Sequence, residues 1–310
     1  ISTRGMMTVV VLYLFEAGLV WIRDQQPIRF ATLFRKGLPY APSGLLALAY
    51  LGYHYAVTGW VGYHPESDWA PAFQRVGLSG LLRNTAVLGW RLLDFGMVFV
   101  WIALLTALWR IWRKPVSLPR ARLKEAGLML ALSGILLSLT FLLYTGLHQH
   151  RYLLPILIAL QLFVFTLIAG SGLRQKWKTG LFGLMLLGPI SGHFWVYPDG
   201  IAQGWDSTLA HLPYYGLKED MIEYLDEQGI PLQRVGTAFP EIGPQYYKDL
   251  SGRESGFAPK NLGRQPYILY SNVMNDFTDQ ERAQLQGNWQ VKKRMQRGGG
   301  KLVLYEKRSD

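Results

Sequence analysis

Two uncharged runs, 127–147 and 153–173, stand almost back to back, separated by His148-Gln149-His150-Arg151-Tyr152. Each is about twenty residues, long enough to cross the hydrocarbon core of a bilayer as a helix. Once two such helices are granted, the polar string between them must turn the chain at a membrane boundary. A charge held there is costly and therefore often functional. This places Arg151 and its neighbours first among the candidate site residues.

Hydropathy divides the 310 residues into two regions. Residues 1–197 carry nearly all the long apolar runs, and 198–310 read as an ordinary water-soluble sequence. Charge divides the same way. The first region holds 18 Lys+Arg against 6 Asp+Glu, a balance of +12; the second holds 14 against 15, a balance of −1, which together give the overall +11. The basicity thus belongs to the apolar region. No nucleic-acid motif accompanies it, and no nucleic-acid partner is expected. The absence of cysteine excludes disulfides and thiolate sites. The chain starts at Ile1 and enters an apolar segment at once, so it reads as the C-terminal part of a longer protein.

Six apolar segments are expected as membrane helices: 6–22, 38–57, 93–112, 127–147, 153–173 and 180–197. They lack the alternation of barrel strands, which leaves helices as the spanning structure. Thirteen of the eighteen basic residues fall in three alternate connections, 23–36, 110–124 and 174–178. Those connections are expected on the cytoplasmic side. The 58–92 loop, the His148–Tyr152 turn and the C-terminal domain then lie outside. Within the outer loop, 78–93 has helical apolar spacing and is expected as an amphipathic helix on the membrane surface or packed on the bundle. Glu16 interrupts the first segment and is expected to face the bundle interior or lie near the cytoplasmic end.

The second region reads as a small α/β domain. Helices are expected over 217–228, ending at Gly229, and from the Thr278 cap with its Glu281 capping box to about Gln286. Strands are expected over 234–239, 267–271, 289–295 and 302–305, the last two joined by Arg297-Gly298-Gly299-Gly300 as a hairpin. The fold class is therefore an α-helical integral membrane bundle followed by a soluble α/β domain.

The candidate chemistry lies on the outer side. Arg151 can pair bidentately with a phosphate, or serve as a snorkelling anchor for the helix it precedes. Tyr152 adds an amphipathic ring. His148 and His150 are suited to proton transfer or to ligating a metal with acidic residues, and equally to a polar turn. Glu66 and Asp68 are carboxylates that could serve as a general base on an acceptor hydroxyl, with His64 and Arg75 nearby. Arg91 and Asp94 can pair with each other. No cofactor is required; a divalent metal is compatible with these side chains.

The string His150-Arg151-Tyr152-Leu153-Leu154-Pro155, with Ser2-Thr3-Arg4-Gly5 at an earlier helix start and a basic cytoplasmic side, resembles the C-terminal half of GT-C-fold membrane glycosyltransferases. These include glycosyltransferase family 39 and the RgtA/B/C/D-like proteins. The resemblance covers the whole chain in layout through short motifs. It implies transfer of a sugar from a polyprenyl-phosphate donor to a glycan, lipid or protein acceptor on the outer face of the cytoplasmic membrane. Arg151, with Tyr152, His150, His148 and Arg4, would then hold the lipid phosphate. The family's catalytic Asp would precede this chain, so the chain alone would be inactive. The alternative is a non-catalytic transporter or assembly protein for lipid-linked sugars, for which paired broken helices would be the mark.

Overall fold

The computed structural model describes residues 3–24, 27, 29–64, 66–67, 70–113, 120–198, 208–249, 252–273 and 276–308; for residues 3, 4 and 24 it describes the backbone only. The chain divides into two compact units, Ile1–Ser191 and Gly192–Asp310.

The first unit is helical. Its elements are α1 (Thr3–Asp24), α2 (Phe30–Gly37), α3 (Ala41–Thr58), α4 (Leu78–Leu93), α5 (Met97–Arg113), α6 (Arg120–Leu143), α7 (Leu154–Gly170) and α8 (Gln175–Gly192). All six apolar segments thus form helices, because uncharged Leu, Ala and Ile runs bury their backbone polar groups only by bonding along the chain. Helix α6 is central: α1, α4 and α7 pack on it, and α5 packs on α7. The core between α5, α7 and α8 is built on Val100, Ala103, Ala107, Val164 and Ile168. A second cluster joins α1, α6 and α7 through Val11, Leu137, Phe141, Leu153 and Ile156.

Two contacts gather the basic connections at one end. Arg23 of α1 pairs with Glu125 of α6 at 2.7 Å, and the Arg110 guanidinium lies 3.9 Å over the Trp177 ring. Glu16 belongs toward this end, bonded to Lys36 and Tyr40, both at 3.1 Å. The opposite end carries His148–Tyr152 and a group of aromatic rings, and is called the aromatic end below.

Among the described residues two helices, α1 and α6, are long and apolar enough to cross a membrane, or three if α4 and α5 form one broken span. The expected count of six meets physical limits. Helix α7 has 17 residues, about 26 Å at 1.5 Å per residue. Helix α8 carries two lysines at its start and Pro189 within it, and part of the run expected to continue to Tyr197 belongs to the other unit. Only 22% of the apolar window of α1 and 28% of that of α6 is buried. The remaining positions are partly covered or exposed, which leaves part of each helix surface free to face lipid.

Helix α6 also ends four residues before the apolar run does. The reason is a pairing no apolar pattern shows: Val76 N–H donates to Leu143 O, Thr145 N–H to Gln74 O and Gly146 N–H to Ala72 O. The end of the outer loop therefore lies along residues 143–146 and takes over their hydrogen bonding. Asn84, fully buried on α4, completes the exchange by donating to the carbonyls of Leu142 (2.9 Å) and Tyr144 (3.0 Å). Helix ends leave such carbonyls without intrahelical donors. This settles the place of 78–93: it is a helix packed on the bundle, pinned by Asn84.

The second unit is a six-stranded sheet of β1 (Val235–Thr237), β2 (Gly243–Pro244), β3 (Gly256–Pro259), β4 (Tyr267–Ser271), β5 (Trp289–Arg297) and β6 (Gly300–Lys307), in the order β2-β3-β1-β4-β6-β5. The strands β3, β1 and β4 run parallel; the others pair antiparallel. Helix α9 (Pro213–Glu227) packs on β5 and β6, and α10 (Asp279–Asn288) on β5. The expected capping box is present: Glu281 N–H bonds Thr278 Oγ1 at 3.2 Å, and Thr278 N–H bonds Glu281 Oε2 at 2.8 Å. The hairpin between β5 and β6 turns at Gly298, whose φ is +56°. Strands β2 and β3 were not expected; both are short, and four of their six residues are Gly or Pro outside the β-branched pattern by which strands are read.

Candidate functional site

Two neighbouring structures occupy the aromatic end of the helical unit. The first is the elbow between α4 and α5, where the chain bends by 83°. Phe95 and Gly96 make the bend with φ of +47° and +80°. A bulky residue in the left-handed region costs about 1–3 kcal/mol and persists only where its surroundings hold it. Here Asp94 holds it. Its side chain is fully enclosed, and Oδ1 accepts the Phe95 N–H at 2.8 Å. Its other oxygen lies 3.4 Å from Arg91 Nη1 and 3.1 Å from His150 Nε2. Arg91 Nη1 also reaches His150 Nδ1 at 3.3 Å, and the Phe95 ring packs 4.4 Å from the imidazole.

Both nitrogens of His150 are therefore engaged inside the protein. Burial first, and Arg91 next, hold its pKa below the ordinary imidazole range against the pull of Asp94. His148 is turned elsewhere, 4.7 Å from Phe141. Burial and the nearby Arg83 lower its pKa too. Both shifts favour the neutral ring. The role of the two rings is to lock the turn to α4 and α6.

The second structure is a cavity of about 710 Å³ beside the turn. Met6 of α1, Tyr50, Leu51 and His54 of α3, the 60–63 loop, Phe73, and Thr140, Tyr144, Leu147 and Tyr152 line it. The sequence builds its wall locally. Helix α3 stops at Gly59, which takes φ of +76° and returns its N–H to Tyr55 O at 2.8 Å, a glycine cap that frees the chain to turn. Trp60 then folds back edge-on against His54 at 4.4 Å. Tyr63 stacks on Phe73 at 4.5 Å with an interplanar angle of 5°, and Phe73 meets Tyr144 at 6.4 Å. The pairing of the outer loop with residues 143–146 thus brings Phe73 and Tyr144 to the same wall.

Arg151 stands at this rim. It is exposed, its guanidinium lies 5.3 Å over the Tyr152 ring, and it makes no ion pair among the described residues. Of the residues singled out from sequence, the structure places Tyr152 on the cavity wall and Arg151 over its ring. It sends His148 and His150 into the bundle. Glu66 lies in the exposed outer loop with its N–H on His64 Nδ1 at 3.2 Å and does not line the cavity. Asp68 lies outside the described residues; Arg4 falls on the first turn of α1, where only the backbone is described. Among the described residues no group of three or more His, Asp or Glu is placed to hold a metal ion, and the separation of His148 from His150 accounts for this.

Sequence reasoning missed His54, Tyr50, Tyr63, Phe73 and Tyr144. One signal was available: Tyr50, Tyr53, His54 and Tyr55 crowd the last turns of an otherwise aliphatic segment, and Tyr50 and His54 are four apart, on one helix face. No protein-family model, curated protein or solved structure matches this chain.

Proposed function

We propose that this chain is part of a membrane glycosyltransferase that moves a sugar from a polyprenyl-phosphate donor to a hydroxyl on a glycan, lipid or protein acceptor at the outer face of the cytoplasmic membrane. The observation that carries the reading is the exposed Arg151, without an ion pair among the described residues, at the rim of an aromatic cavity. The guanidinium suits a phosphate by its fork of donors. Aromatic faces suit the apolar faces of a sugar ring and the isoprene units behind it. Helices facing lipid would bring a lipid-borne donor to that rim by lateral diffusion. In the reaction, the bond from the anomeric carbon to the phosphate oxygen breaks and the electron pair leaves with the phosphate. A fixed cation there is worth more in the transition state than in the ground state.

The test is transfer of labelled sugar from a polyprenyl-phosphate donor in membranes holding the full-length protein. Arg151→Ala is expected to lower kcat by about a hundredfold, the scale of losing one preorganised charge contact, with Arg151→Lys partly active. Unchanged transfer would reduce Arg151 to an anchor.

The 83° break between α4 and α5 favours a second reading, a transporter or assembly protein for lipid-linked sugars, since broken helices at substrate sites are a transporter device. Movement of the donor across a vesicle membrane without any transfer would support that reading.

A further inference from the structure

We infer that His54 is a catalytic base: its Nε2 takes the proton from the acceptor hydroxyl inside the aromatic cavity. This rests on the glycosyltransferase reading. The resemblance gives that task to a carboxylate of an earlier outer loop, whereas the geometry offers a base within this chain.

The argument begins with the tautomer. His54 Nδ1 lies 3.0 Å from the Trp60 carbonyl oxygen and 3.1 Å from Thr58 Oγ1. A carbonyl only accepts. The Thr58 hydroxyl spends its own proton on His54 O at 2.7 Å, so toward the ring it too only accepts. Both neighbours therefore require a proton on Nδ1, and the neutral ring carries its lone pair on Nε2. No bond among the described residues occupies that nitrogen. The ring is held edge-on by Trp60 at 4.4 Å and flanked by Tyr50 at 5.9 Å. This is the arrangement of a base oriented by a carbonyl partner.

Among the described residues the competing bases are committed elsewhere. Asp94 is enclosed at the elbow, and His150 has both nitrogens engaged. Glu16 is bonded to Lys36 and Tyr40, and Glu66 does not line the cavity. Among the described residues the other titratable groups on the cavity wall are the phenols of Tyr50, Tyr63, Tyr144 and Tyr152, and the lining includes no carboxylate, lysine or arginine. Tyr152 lines the same cavity and carries Arg151 over its ring, so base and phosphate holder serve one space. The step balances: the hydroxyl gives its proton to Nε2, its oxygen bonds the anomeric carbon, and the bond to phosphate oxygen breaks. The phosphate leaves with the electron pair beside Arg151, and the imidazolium, still donating from Nδ1 to Trp60 O, returns the proton to water.

The experiment is a pH–rate profile of sugar transfer by the full-length protein in membranes, wild type against His54→Asn. Asparagine keeps an N–H near the Nδ1 position for the Trp60 carbonyl and removes the base. The wild-type kcat/KM is expected to fall on the acid side. The variant is expected to be slower by about 10²–10⁴-fold, the usual yield of a positioned base, with the acid limb gone. A variant that keeps both rate and limb overturns the catalytic role alone. A wild type that transfers nothing from any polyprenyl-phosphate donor overturns the glycosyltransferase reading and the role together. Diethylpyrocarbonate supplies an arm that needs no variant. Carbethoxylation of His54, read by mass spectrometry, should track loss of transfer, slow in the presence of donor and reverse with hydroxylamine. Transfer that survives full labelling of His54 overturns the proposal.

Discussion

The two units bury charge in mirrored ways. In the helical unit the enclosed carboxylate of Asp94 serves Arg91 and His150. In the sheet unit the enclosed ammonium of Lys218 serves Glu241 at 3.6 Å and Asp249 at 3.3 Å. Their surfaces differ in where unpaired cations lie. The sheet unit ties some charges across its elements, as in Arg253–Asp226, Lys292–Glu306 and Arg297–Asp220, and leaves Arg234, Arg264, Lys293 and Arg294 without ion pairs among the described residues. The helical unit leaves Arg83 and Arg151 at its aromatic end without ion pairs among the described residues. Matched charges staple a fold. An unmatched cation beside a cavity suits an anionic ligand, and Arg151 over the ring of the cavity residue Tyr152 is why the candidate chemistry is sought in the helical unit.

The sharpest way to break the comparison is Asp94→Ala. It strands Arg91 and His150 and removes the acceptor that holds Phe95. Leaving a buried charge without its partner costs about 3–5 kcal/mol. The helical unit should unfold at a clearly lower temperature in detergent, while Asp94→Asn, which keeps an acceptor for Phe95, should lie between. An unchanged unfolding temperature would mean that the elbow is held by packing alone. Next comes Asn84→Ala, which leaves the Leu142 and Tyr144 carbonyls without their donor, at about 1–3 kcal/mol. Its signature should be local, as faster amide exchange over residues 143–146; exchange that stays slow would show that the 72–76 pairing suffices. In the sheet unit, Thr278→Ala removes a capping box and should cost about 1 kcal/mol, seen in exchange from α10 and not in α4.

Acid should separate the units. His148 and His150 have lowered pKa values when folded, so the unfolded chain binds more protons and stability falls as the pH is lowered. That stability is complete above their ordinary value of 6.5 and is lost on descent through the folded values. In the sheet unit burial would raise the Glu281 pKa, but Lys260 at 2.6 Å and the Thr278 bonds outweigh it and hold it below 4.5. Its contribution is complete above 4.5 and fades only below. Hydrogen exchange against pH should show the aromatic end of the helical unit loosening first. Loosening of α10 ahead of α7 would reverse the comparison.

Much of the fold was legible because the signals are local. Uncharged runs announce helices, Thr278 with Glu281 announces a cap, and three glycines announce a hairpin. Arg151 was legible as an isolated charge between such runs. For His148 and His150 the sequence left a site role and a polar turn both open, because spacing gives no account of the Asp94 elbow that draws His150 inward. Glu66 looked apt by charge alone, and the cavity was built without it.

By itself the sequence determined that the first region forms apolar helices with their basic connections in alternate positions, and that an arginine and a tyrosine turn the chain between two of them. These follow from hydropathy and charge along short stretches. Only the tertiary structure decided that Asp94, Arg91 and His150 meet, that residues 72–76 lie along 143–146, and that His54 lines a cavity shared with Tyr152. Those are pairings across 56 to 98 positions of chain (94 to 150, 54 to 152). Hydrogen-bond direction and the closing of a cavity depend on where elements meet, which no local pattern encodes.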